Sequence, residues 1–203
     1  MKKRIVIFIS GSGSNMVALA KAAQDPTYPA RVAAVICDQP KADGIAKAEQ
    51  LGLNVHIIAR KNYINKAAHE GAILDCLAQY TPDLLCFAGY MRLVSPSFIA
   101  AYRNRIINIH PSLLPLFKGL NTHAQALEAG MKIAGCTIHY VNEGMDDGTI
   151  ISQAAVPILT NDTPDRLGAR VLTVEHQLYP ATLRALLDGG DQNYTASQQI
   201  IAL

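Results

Sequence analysis

The sequence predicts an α/β protein with a doubly wound, mostly parallel sheet and helices on both of its faces, Rossmann-like in the N-terminal half. Residues 4–10 form a continuous run rich in β-branched side chains, which is typical of a strand buried on both faces. Strand-like and helix-like segments then alternate about five times, the pattern of a parallel sheet. After His110 two longer strand-like segments flank a loop, which predicts an added antiparallel pair, followed by a long C-terminal helix.

Each element of the first half has its own signal. Apolar runs predict the strands, while amphipathic spacing and a following glycine or proline predict the helices. In the segment 62–80, Ile73, Leu77 and Tyr80 fall at i, i+4 and i+7, which is one stripe of a helix. The predicted strands are 4–10, 31–38, 54–59, 83–88 and 105–109, and the predicted helices are about 15–24, 42–51, 62–80 and one opened by Ser95-Pro96.

The second half is predicted to contain a short helix near 122–129, strands at 136–142 and 150–160, and one long helix. Thr163-Pro164-Asp165 predicts the start of the long helix, because it supplies an N-cap, a first-turn proline and a first-turn acid. Pro180 is expected to kink this helix, and Gly189-Gly190 is expected to end it. Its apolar face is formed by Leu167, Val171, Val174 and Leu178. The tail from residue 191 stays unassigned.

Composition excludes several classes of protein. Of the 203 residues 50% are apolar and 17% are charged, which allows a buried core and argues against a disordered chain. A formal net charge of +2 gives no basic footprint for nucleic acid, and no run approaches the ~20 apolar residues of a membrane span. The four cysteines include no C-x-x-C pair and predict buried free thiols, so we expect a cytoplasmic protein without a metal site.

The loop Gly11-Ser12-Gly13-Ser14-Asn15 lies between the first strand and the first helix and predicts a phosphate site. Glycines let a ligand approach the backbone, and a helix N-terminus offers unpaired N–H groups. A dinucleotide is the rival interpretation, because Gly11-x-Gly13 begins the G-x-G-x-x-G pattern and Asp38 could bind a ribose. Met16 replaces the third glycine, which weakens that interpretation, and no lysine completes a Walker pattern. An ordinary tight turn is the remaining alternative.

The segment 106–112 predicts a site that polarises a carbonyl group. Strand periodicity places Asn108 and His110 on one side of an apolar strand, at the carboxyl end where open α/β sheets bind ligands. An amide donor beside an imidazole suits the stabilisation of an oxyanion. A carboxylate nearby would favour the charged imidazolium, and the loop 142–148 is a candidate source. A hydrogen-bonded histidine at a strand end and a simple acid-glycine turn are the alternatives.

Four segments, in this order and spacing, carry a family resemblance. They are Ser10-Gly-Ser-Gly-Ser-Asn15, Ala88-Gly-Tyr-Met-Arg-Leu93, Asn108-Ile-His-Pro-Ser-Leu-Leu-Pro115 and the loop with Asp146. The chain resembles the folate-dependent phosphoribosylglycinamide formyltransferases of purine synthesis over essentially its full length. The resemblance implies one formyltransferase domain over 1–203, with a phosphate- and nucleotide-binding half at about 1–105 and a catalytic and folate-binding half at about 106–190.

The resemblance also implies a reaction and a role for individual residues. The formyl group of 10-formyltetrahydrofolate would pass to the amine of glycinamide ribonucleotide, with Asn108, protonated His110 and Asp146 as the catalytic residues. The substrate phosphate and ribose would contact Gly13, Ser14, Asn15 and Glu175. The folate would contact Lys66, Met91, Arg92, Leu93, Val94, Asn108, Asn142, Glu143, Gly144 and Met145.

Three residues depart from the family pattern. Lys66 stands where an arginine is common near the folate glutamate, so the charge is kept but the bidentate fork is lost. Asp147 replaces a small residue beside the catalytic acid, and a second carboxylate there would couple to its titration. Asn121 stands where a histidine is common. We expect these departures to change affinity and pH profile rather than reaction type.

The implied partners are two small molecules, without nucleic acid, membrane or metal, and we expect a monomer or a weak homodimer. Related formyltransferases act on methionyl-tRNA or hydrolyse formyl-folate, but each carries a further domain for which we expect no room in 203 residues. A non-catalytic nucleotide-binding protein is one alternative. A zinc hydrolase is another, but H-E-x-x-H is absent; it would use His110, His123, His139 and Asp146. His123 and His139 are as readily structural as site-lining, and structural roles are expected for His56, His69 and His176.

Overall fold

The computed structural model describes residues 1–189 and 201–202. The strands are β1 (Lys3–Ile9), β2 (Ala30–Cys37), β3 (Val55–Ile57), β4 (Leu84–Phe87), β5 (Ile106–His110), β6 (Ile133–Tyr140), β7 (Ile150–Pro157) and β8 (Ile201–Ala202). The helices are α1 (Ser14–Gln24), α2 (Asp43–Gln50), α3 (Lys66–Tyr80), α4 (Pro96–Ala101), α5 (Thr122–Glu128) and α6 (Pro164–Asp188). The chain divides into two compact units, Met1–Asn108 and Ile109–Leu203.

The first unit is built on parallel strands in the order β3-β2-β1-β4-β5. β1 is central, and its residues from Ile5 to Ile9 are fully buried. The chain passes from β1 outward to β3 and then returns to β4 on the other side of β1, so right-handed crossovers place helices on opposite faces. The strand order reverses between β1 and β4, which is where open α/β sheets bind ligands. The predicted doubly wound architecture is confirmed.

Helix α3 begins later than the sequence predicts. The predicted helix starts at residue 62, whereas α3 starts at Lys66. Asn65 has an extended backbone with φ −150°, and its side chain accepts a hydrogen bond from Ala68 N at 2.8 Å, so it caps the helix. Residues 60–62 form a separate 3-10 turn. Ile73 and Leu77 of the predicted stripe are buried, as expected for the inward face of the helix.

The second unit contains the antiparallel pair that the sequence predicts. β6 and β7 run in opposite directions, with Ala134 opposite Val156. β6 begins three residues before and ends two residues before the predicted 136–142, whereas β7 begins at residue 150 as predicted and ends three residues before the predicted 160. At Ile138/His139 the pairing register shifts by a bulge or similar irregularity. Such irregularities re-aim side chains, and His139 is one of the residues considered for the site.

Helix α6 begins as predicted and packs on β6 and β7. Thr163 caps it by accepting a hydrogen bond from Arg166 N at 3.3 Å, and Pro164 occupies the first turn. All four residues predicted for its apolar face are buried. The helix continues through Pro180 as one element to Asp188, and Gly189 is its C-cap residue.

Three further expectations can be compared with the structure. The four cysteines are free and buried, as predicted. Within residues 1–189, no helix combines the length and the apolar character needed to cross a bilayer. The tail from residue 191 lies outside the described residues except for β8, which pairs parallel with β7.

Candidate active site

The predicted phosphate loop follows β1 and leads directly into α1. Gly13 has φ +67°, a left-handed conformation that favours glycine, and it is the N-cap residue of α1. Helix α2 fixes the loop from the side, because Gly44 N donates to Gly11 O at 3.0 Å and Lys47 Nζ donates to Ser12 O at 2.8 Å. The carbonyl groups of the loop are therefore held by one backbone and one side-chain donor of α2, and the N-terminus of α1 lies at the end of the loop.

The structure argues against the dinucleotide interpretation of this loop. Met16, which replaces the third glycine, is fully buried and fills the space in which that glycine would allow close packing. Asp38, the candidate ribose ligand, accepts hydrogen bonds from Ser10 Oγ and from Arg92 Nε, both at 2.5 Å. Both carboxylate oxygens are thus bonded to residues of the chain itself.

The segment after β4 carries the residues predicted to contact folate in the first unit. Met91 and Leu93 expose 66% and 65% of their surface, which is unusual for large apolar side chains and suits an apolar ligand. Met91 N donates to Ser10 Oγ at 2.9 Å, and Val94 is half-buried. Lys66 lies at the start of α3, with Nζ 3.9 Å from Glu70 Oε1.

Strand β5 carries Asn108 and His110 two residues apart, so both side chains leave the strand on the same side. Asn108 is half-buried and His110 is buried. His110 Nδ1 lies 3.4 Å from Asp146 Oδ2, and Nε2 lies 3.0 Å from the carbonyl oxygen of Phe117. Each ring nitrogen of His110 therefore faces an oxygen atom that can accept a hydrogen bond.

Asp146 lies at the centre of a small polar cluster in the second unit. Its backbone has φ +48°, a left-handed conformation that is uncommon outside glycine and in which asparagine and aspartate are enriched. Oδ2 accepts a hydrogen bond from Gly119 N at 2.9 Å, and Oδ1 lies 3.7 Å from His139 Nε2. The carboxylate therefore faces two imidazole rings, one of them His110, and is oriented by a backbone amide.

The rest of the predicted folate loop, residues 142–145, is exposed. Asn142 shapes it, because Oδ1 accepts from Gly144 N at 3.0 Å and Nδ2 donates to Asp147 O at 3.2 Å. The carboxylate of Asp147 forms an ion pair with Lys118, and this hydrogen bond is the main reason that the pKa of Asp147 is lowered. Asp147, one of the departures from the family pattern, is thus paired with a lysine of the neighbouring loop.

Two histidines beside the cluster are kept neutral by their surroundings. Burial is the main cause that lowers the pKa of His123, and a charge on His110 lowers it further. Burial also lowers the pKa of His139, and this effect exceeds the opposing hydrogen bond to Tyr140 O. The sequence left both residues undecided. His139 lies at the site through its contact with Asp146, whereas His123 adjoins Gly168 of α6.

Glu175, predicted to contact the substrate ribose, is buried on α6. The pKa of the Cys136 thiol is raised, mainly because the thiol is buried and to a lesser extent by the negative charge of Glu175. The next residue, His176, has a buried Nε2 without a hydrogen-bond partner among the described residues, and burial lowers its pKa. Within residues 1–189, no three histidine, cysteine, aspartate or glutamate side chains converge closely enough to hold a metal ion.

Sequence reasoning overlooked the contacts that the main chain makes with this cluster. The carbonyl of Phe117 and the amide of Gly119 contact His110 and Asp146, but a backbone group has no residue-type signature. A partial signal existed, because Gly119 adopts φ +79° and a glycine in a loop often marks such a conformation.

An α/β fold with a glycine-rich loop at its switch point and a buried imidazole paired with a carboxylate defines a small-molecule enzyme with an acid–base site. The chain belongs to the formyl transferase family, which it matches over residues 3–183.

Known proteins of this family resemble the chain over nearly its whole length. The phosphoribosylglycinamide formyltransferase of Bacillus subtilis is 42% identical over 185 residues, which are 91% of this chain and 95% of that protein. The crystal structure of phosphoribosylglycinamide formyltransferase from Brucella melitensis is 52% identical in sequence, with a TM-score of 0.89 and 100% of both chains covered. The human trifunctional purine biosynthetic protein adenosine-3 is 41% identical over 93% of this chain, which spans only 19% of that protein. The matches confirm the predicted family and the predicted class of enzyme, a formyl-transferring enzyme.

Proposed function

We propose that this chain transfers the formyl group of 10-formyltetrahydrofolate to the amine of 5'-phosphoribosylglycinamide. The observation that carries the proposal is the pairing of the buried His110 with the partly exposed Asp146, with 3.4 Å between Nδ1 and Oδ2. Relatives that match this chain over nearly their full length are phosphoribosylglycinamide formyltransferases, and this supports the choice of substrates. The phosphate-type loop after β1 supports a phosphorylated acceptor.

The reaction is an acyl transfer in which atoms and charges balance. The lone pair of the glycinamide amine attacks the formyl carbon, a C–N bond forms, and negative charge develops on the formyl oxygen. The bond between the formyl carbon and the folate nitrogen then breaks. The proton lost by the amine ends on that folate nitrogen. The enzyme must therefore stabilise an oxyanion and move one proton.

In the proposal, His110 and Asn108 stabilise the oxyanion. His110 offers Nε2–H, which is donated to Phe117 O in the structure, and the formyl oxygen takes the place of that carbonyl during the reaction. Asp146 keeps the imidazole protonated and oriented, since a carboxylate favours the cation. The same carboxylate can guide the amine proton through a water molecule.

The remaining assignments concern binding. The backbone of Gly13 and the side chains of Ser14 and Asn15 would hold the phosphate, and Glu175 the ribose. The apolar rings of the folate would lie on the exposed side chains of the segment 91–94 and on the loop 142–145, with Lys66 attracting the glutamate tail. The folate co-substrate supplies the formyl group and the leaving nitrogen, and the acceptor supplies the attacking amine. Residues of the chain bind and orient both and stabilise the oxyanion.

The proposal is tested by following the folate spectrum in a mixture of the protein, 10-formyltetrahydrofolate and 5'-phosphoribosylglycinamide. We expect conversion to tetrahydrofolate only when the acceptor is present. Asn108→Ala should lower kcat by about 10²–10³-fold, because one oxyanion donor is lost. Asp146→Asn should cause a comparable loss, while both variants keep the thermal unfolding profile of a folded protein.

Asn54→Ala is the matched control, because Asn54 is an exposed asparagine in the turn before β3. It should react at the parental rate. Deformylation that proceeds equally without the acceptor would indicate a hydrolase instead. Near-parental turnover by Asn108→Ala or Asp146→Asn would refute the assigned roles.

A further inference from the structure

Asp38, the residue after β2, has a buried carboxylate that joins two loops. Its side chain is 1% exposed. Oδ1 accepts the hydroxyl hydrogen of Ser10 at 2.5 Å, and Oδ2 pairs with Arg92 Nε at 2.5 Å. The Ser10 hydroxyl oxygen in turn accepts from Met91 N at 2.9 Å. The Asp38 carboxylate thus binds Ser10 in one loop and Arg92 in the other. Through the Ser10 hydroxyl it is also linked to the Met91 amide of the second loop.

The two loops are those that follow β1 and β4, the neighbouring strands at the switch point of the first unit. Ser10 is the first residue of the glycine-rich loop. Met91 and Arg92 begin the segment assigned above to folate. The main chains also meet here, since Ser10 N donates to Gly89 O at 3.1 Å. Asp38 reaches both loops from β2, on the far side of β1.

The geometry of the ion pair between Arg92 and Asp38 leaves the two terminal nitrogens of the Arg92 guanidinium available to bind and orient a ligand. The contact with Asp38 uses Nε, not the two terminal nitrogens of the guanidinium. Because the guanidinium is planar, fixing Nε fixes the direction of the terminal N–H groups. The Arg92 side chain is 38% exposed, whereas Asp38 is buried. The ion pair therefore holds the Nε side of the guanidinium against the protein.

We propose that Asp38 is a positioning residue that orders Arg92 and the Met91 amide for the formyl-folate and fixes Ser10 at the start of the phosphate loop. The proposal rests on the function proposed above. A buried carboxylate without its partners would be costly, so the folded protein keeps Ser10 on one carboxylate oxygen of Asp38 and Arg92 on the other. Asp38 therefore preorganises both binding segments of the first unit before either ligand arrives.

The test compares Asp38→Asn, Ser10→Ala and the parent in steady-state kinetics with each substrate varied. In Asp38→Asn the amide oxygen can still accept from Ser10, but its NH2 group then faces Arg92 Nε, donor against donor. We expect the KM for 10-formyltetrahydrofolate to rise by about tenfold or more, with kcat and the KM for the acceptor within about twofold of the parent. Ser10→Ala releases the Met91 amide and the start of the loop, so both KM values should rise.

Asp43→Asn is the matched control, since Asp43 is an exposed carboxylate at the first position of α2. It should leave both KM values unchanged. A purely structural role for Asp38 would lower the melting temperature and the active fraction while both KM values stayed parental, and this result would overturn the proposal. So would a parental KM for the folate in Asp38→Asn.

The parent separates this proposal from the function on which it rests. Acceptor-dependent deformylation by the parent establishes the reaction, whatever the variants do. If the parent showed none, the proposed function would fail, and equilibrium binding of 10-formyltetrahydrofolate would replace the kinetic readout. Equal affinity in the parent and Asp38→Asn, or no binding to the parent, would then overturn the positioning role as well.

Discussion

The carboxylate of Asp146 lies between two imidazole rings. His110 presents Nδ1 to Oδ2 at 3.4 Å, and His139 presents Nε2 to Oδ1 at 3.7 Å. His139 Nδ1 donates to Tyr140 O at 2.9 Å, so the neutral ring carries its proton on that nitrogen. Because burial lowers the pKa of His139, a second proton is added only in acid, and it is added at Nε2. A charged His139 then competes with His110 for Asp146.

Replacing His139 with glutamine should change the pH profile more than the rate. Below the usual imidazole pKa of 6.5, protonation of His139 in the parent draws Asp146 away from His110 and adds a titration to the acid limb. We expect His139→Gln to stay within about tenfold of the parental kcat at neutral pH and to show a shallower acid limb. The measurement is kcat/KM between about pH 5 and pH 8.

His56→Gln serves as the control for this prediction, because His56 bonds Tyr80 Oη at 2.6 Å in the first unit and has no assigned role. Its profile should match that of the parent. If the parent, His139→Gln and His56→Gln had superimposable acid limbs, His139 would not titrate against Asp146.

The phosphate loop depends on how closely α2 approaches it. Gly44 lies against this loop, and a Cβ added there would lie 2.7 Å from Ile9 Cδ1 and 2.9 Å from Gly11 O. Gly13 faces it, since a Cβ on Gly13 would lie 2.8 Å from Gly44 Cα. The two glycines let the loop and the helix pack backbone to backbone. The N-terminal groups of α1 depend on that packing for their direction.

Gly44→Ala should therefore distort the loop without unfolding the protein. The new methyl group must displace the Gly11 carbonyl, so we expect the KM for phosphoribosylglycinamide to rise by about tenfold, equivalent to ~1.4 kcal/mol. The melting temperature should fall as well, because overpacking of a tight contact costs ~1–3 kcal/mol. Steady-state kinetics with the acceptor varied, together with a thermal melt, measures both effects.

Gly71→Ala is the glycine control, because a Cβ at Gly71 of α3 meets nothing within 4 Å. Alanine is the better helix former, so this variant should be as stable as the parent or more stable, with an unchanged KM. An unchanged KM for the acceptor in Gly44→Ala would mean that the loop does not hold the phosphate.

The stability of the folded chain against acid depends on carboxylates that are ion-paired in the native state, and Asp162 is one of them. Asp162 precedes α6, its side chain is 3% exposed, and Arg170 binds both of its oxygens, at 2.7 and 2.9 Å. Leu159 N donates to it at 2.8 Å. These hydrogen bonds, that of Arg170 foremost, lower the pKa of Asp162 from 3.8 to about 2. Unfolding releases the carboxyl group to its ordinary pKa.

The sign of the pH dependence follows from that difference. The folded pKa is the lower one, so the ion pair stabilises the fold fully above about pH 4, and this contribution is lost as the pH falls towards about 2. We expect Asp162→Asn to lower the melting temperature by roughly 2–4 °C at neutral pH, and the difference from the parent to shrink with acidification. Thermal melts across this pH range measure it.

Asp165→Asn removes a charge three residues away, from the exposed first turn of α6, and serves as the control. It should cost less, because only the interaction with the helix dipole is weakened. A difference between Asp162→Asn and the parent that stayed constant down to pH 2 would contradict the assigned ion pair.

Most of the fold could be predicted because the signals are local. The buried run of β1, the Ser95 and Thr163 caps and the inward face of α6 each follow from a few neighbouring residues. The predicted start of α3 was wrong by four residues, since apolar periodicity does not locate a cap and Asn65 decides it. The kink expected at Pro180 stays a prediction; α6 continues through this residue as one helix, with buried residues on either side of it.

The sequence by itself determined the alternation of elements, the glycine loop and the strand that carries Asn108 and His110, since these depend on residue type and short spacing. The tertiary structure shows Asp146, which the family resemblance had named, against His110, and it alone decided what Asp38 binds. Asp146 is 36 positions along the chain from His110, and Arg92 is 54 from Asp38. Contacts over such separations are fixed by how strands pair and loops fold back. Local patterns carry no information about them, and neither do the backbone groups of Phe117 and Gly119 that complete the site.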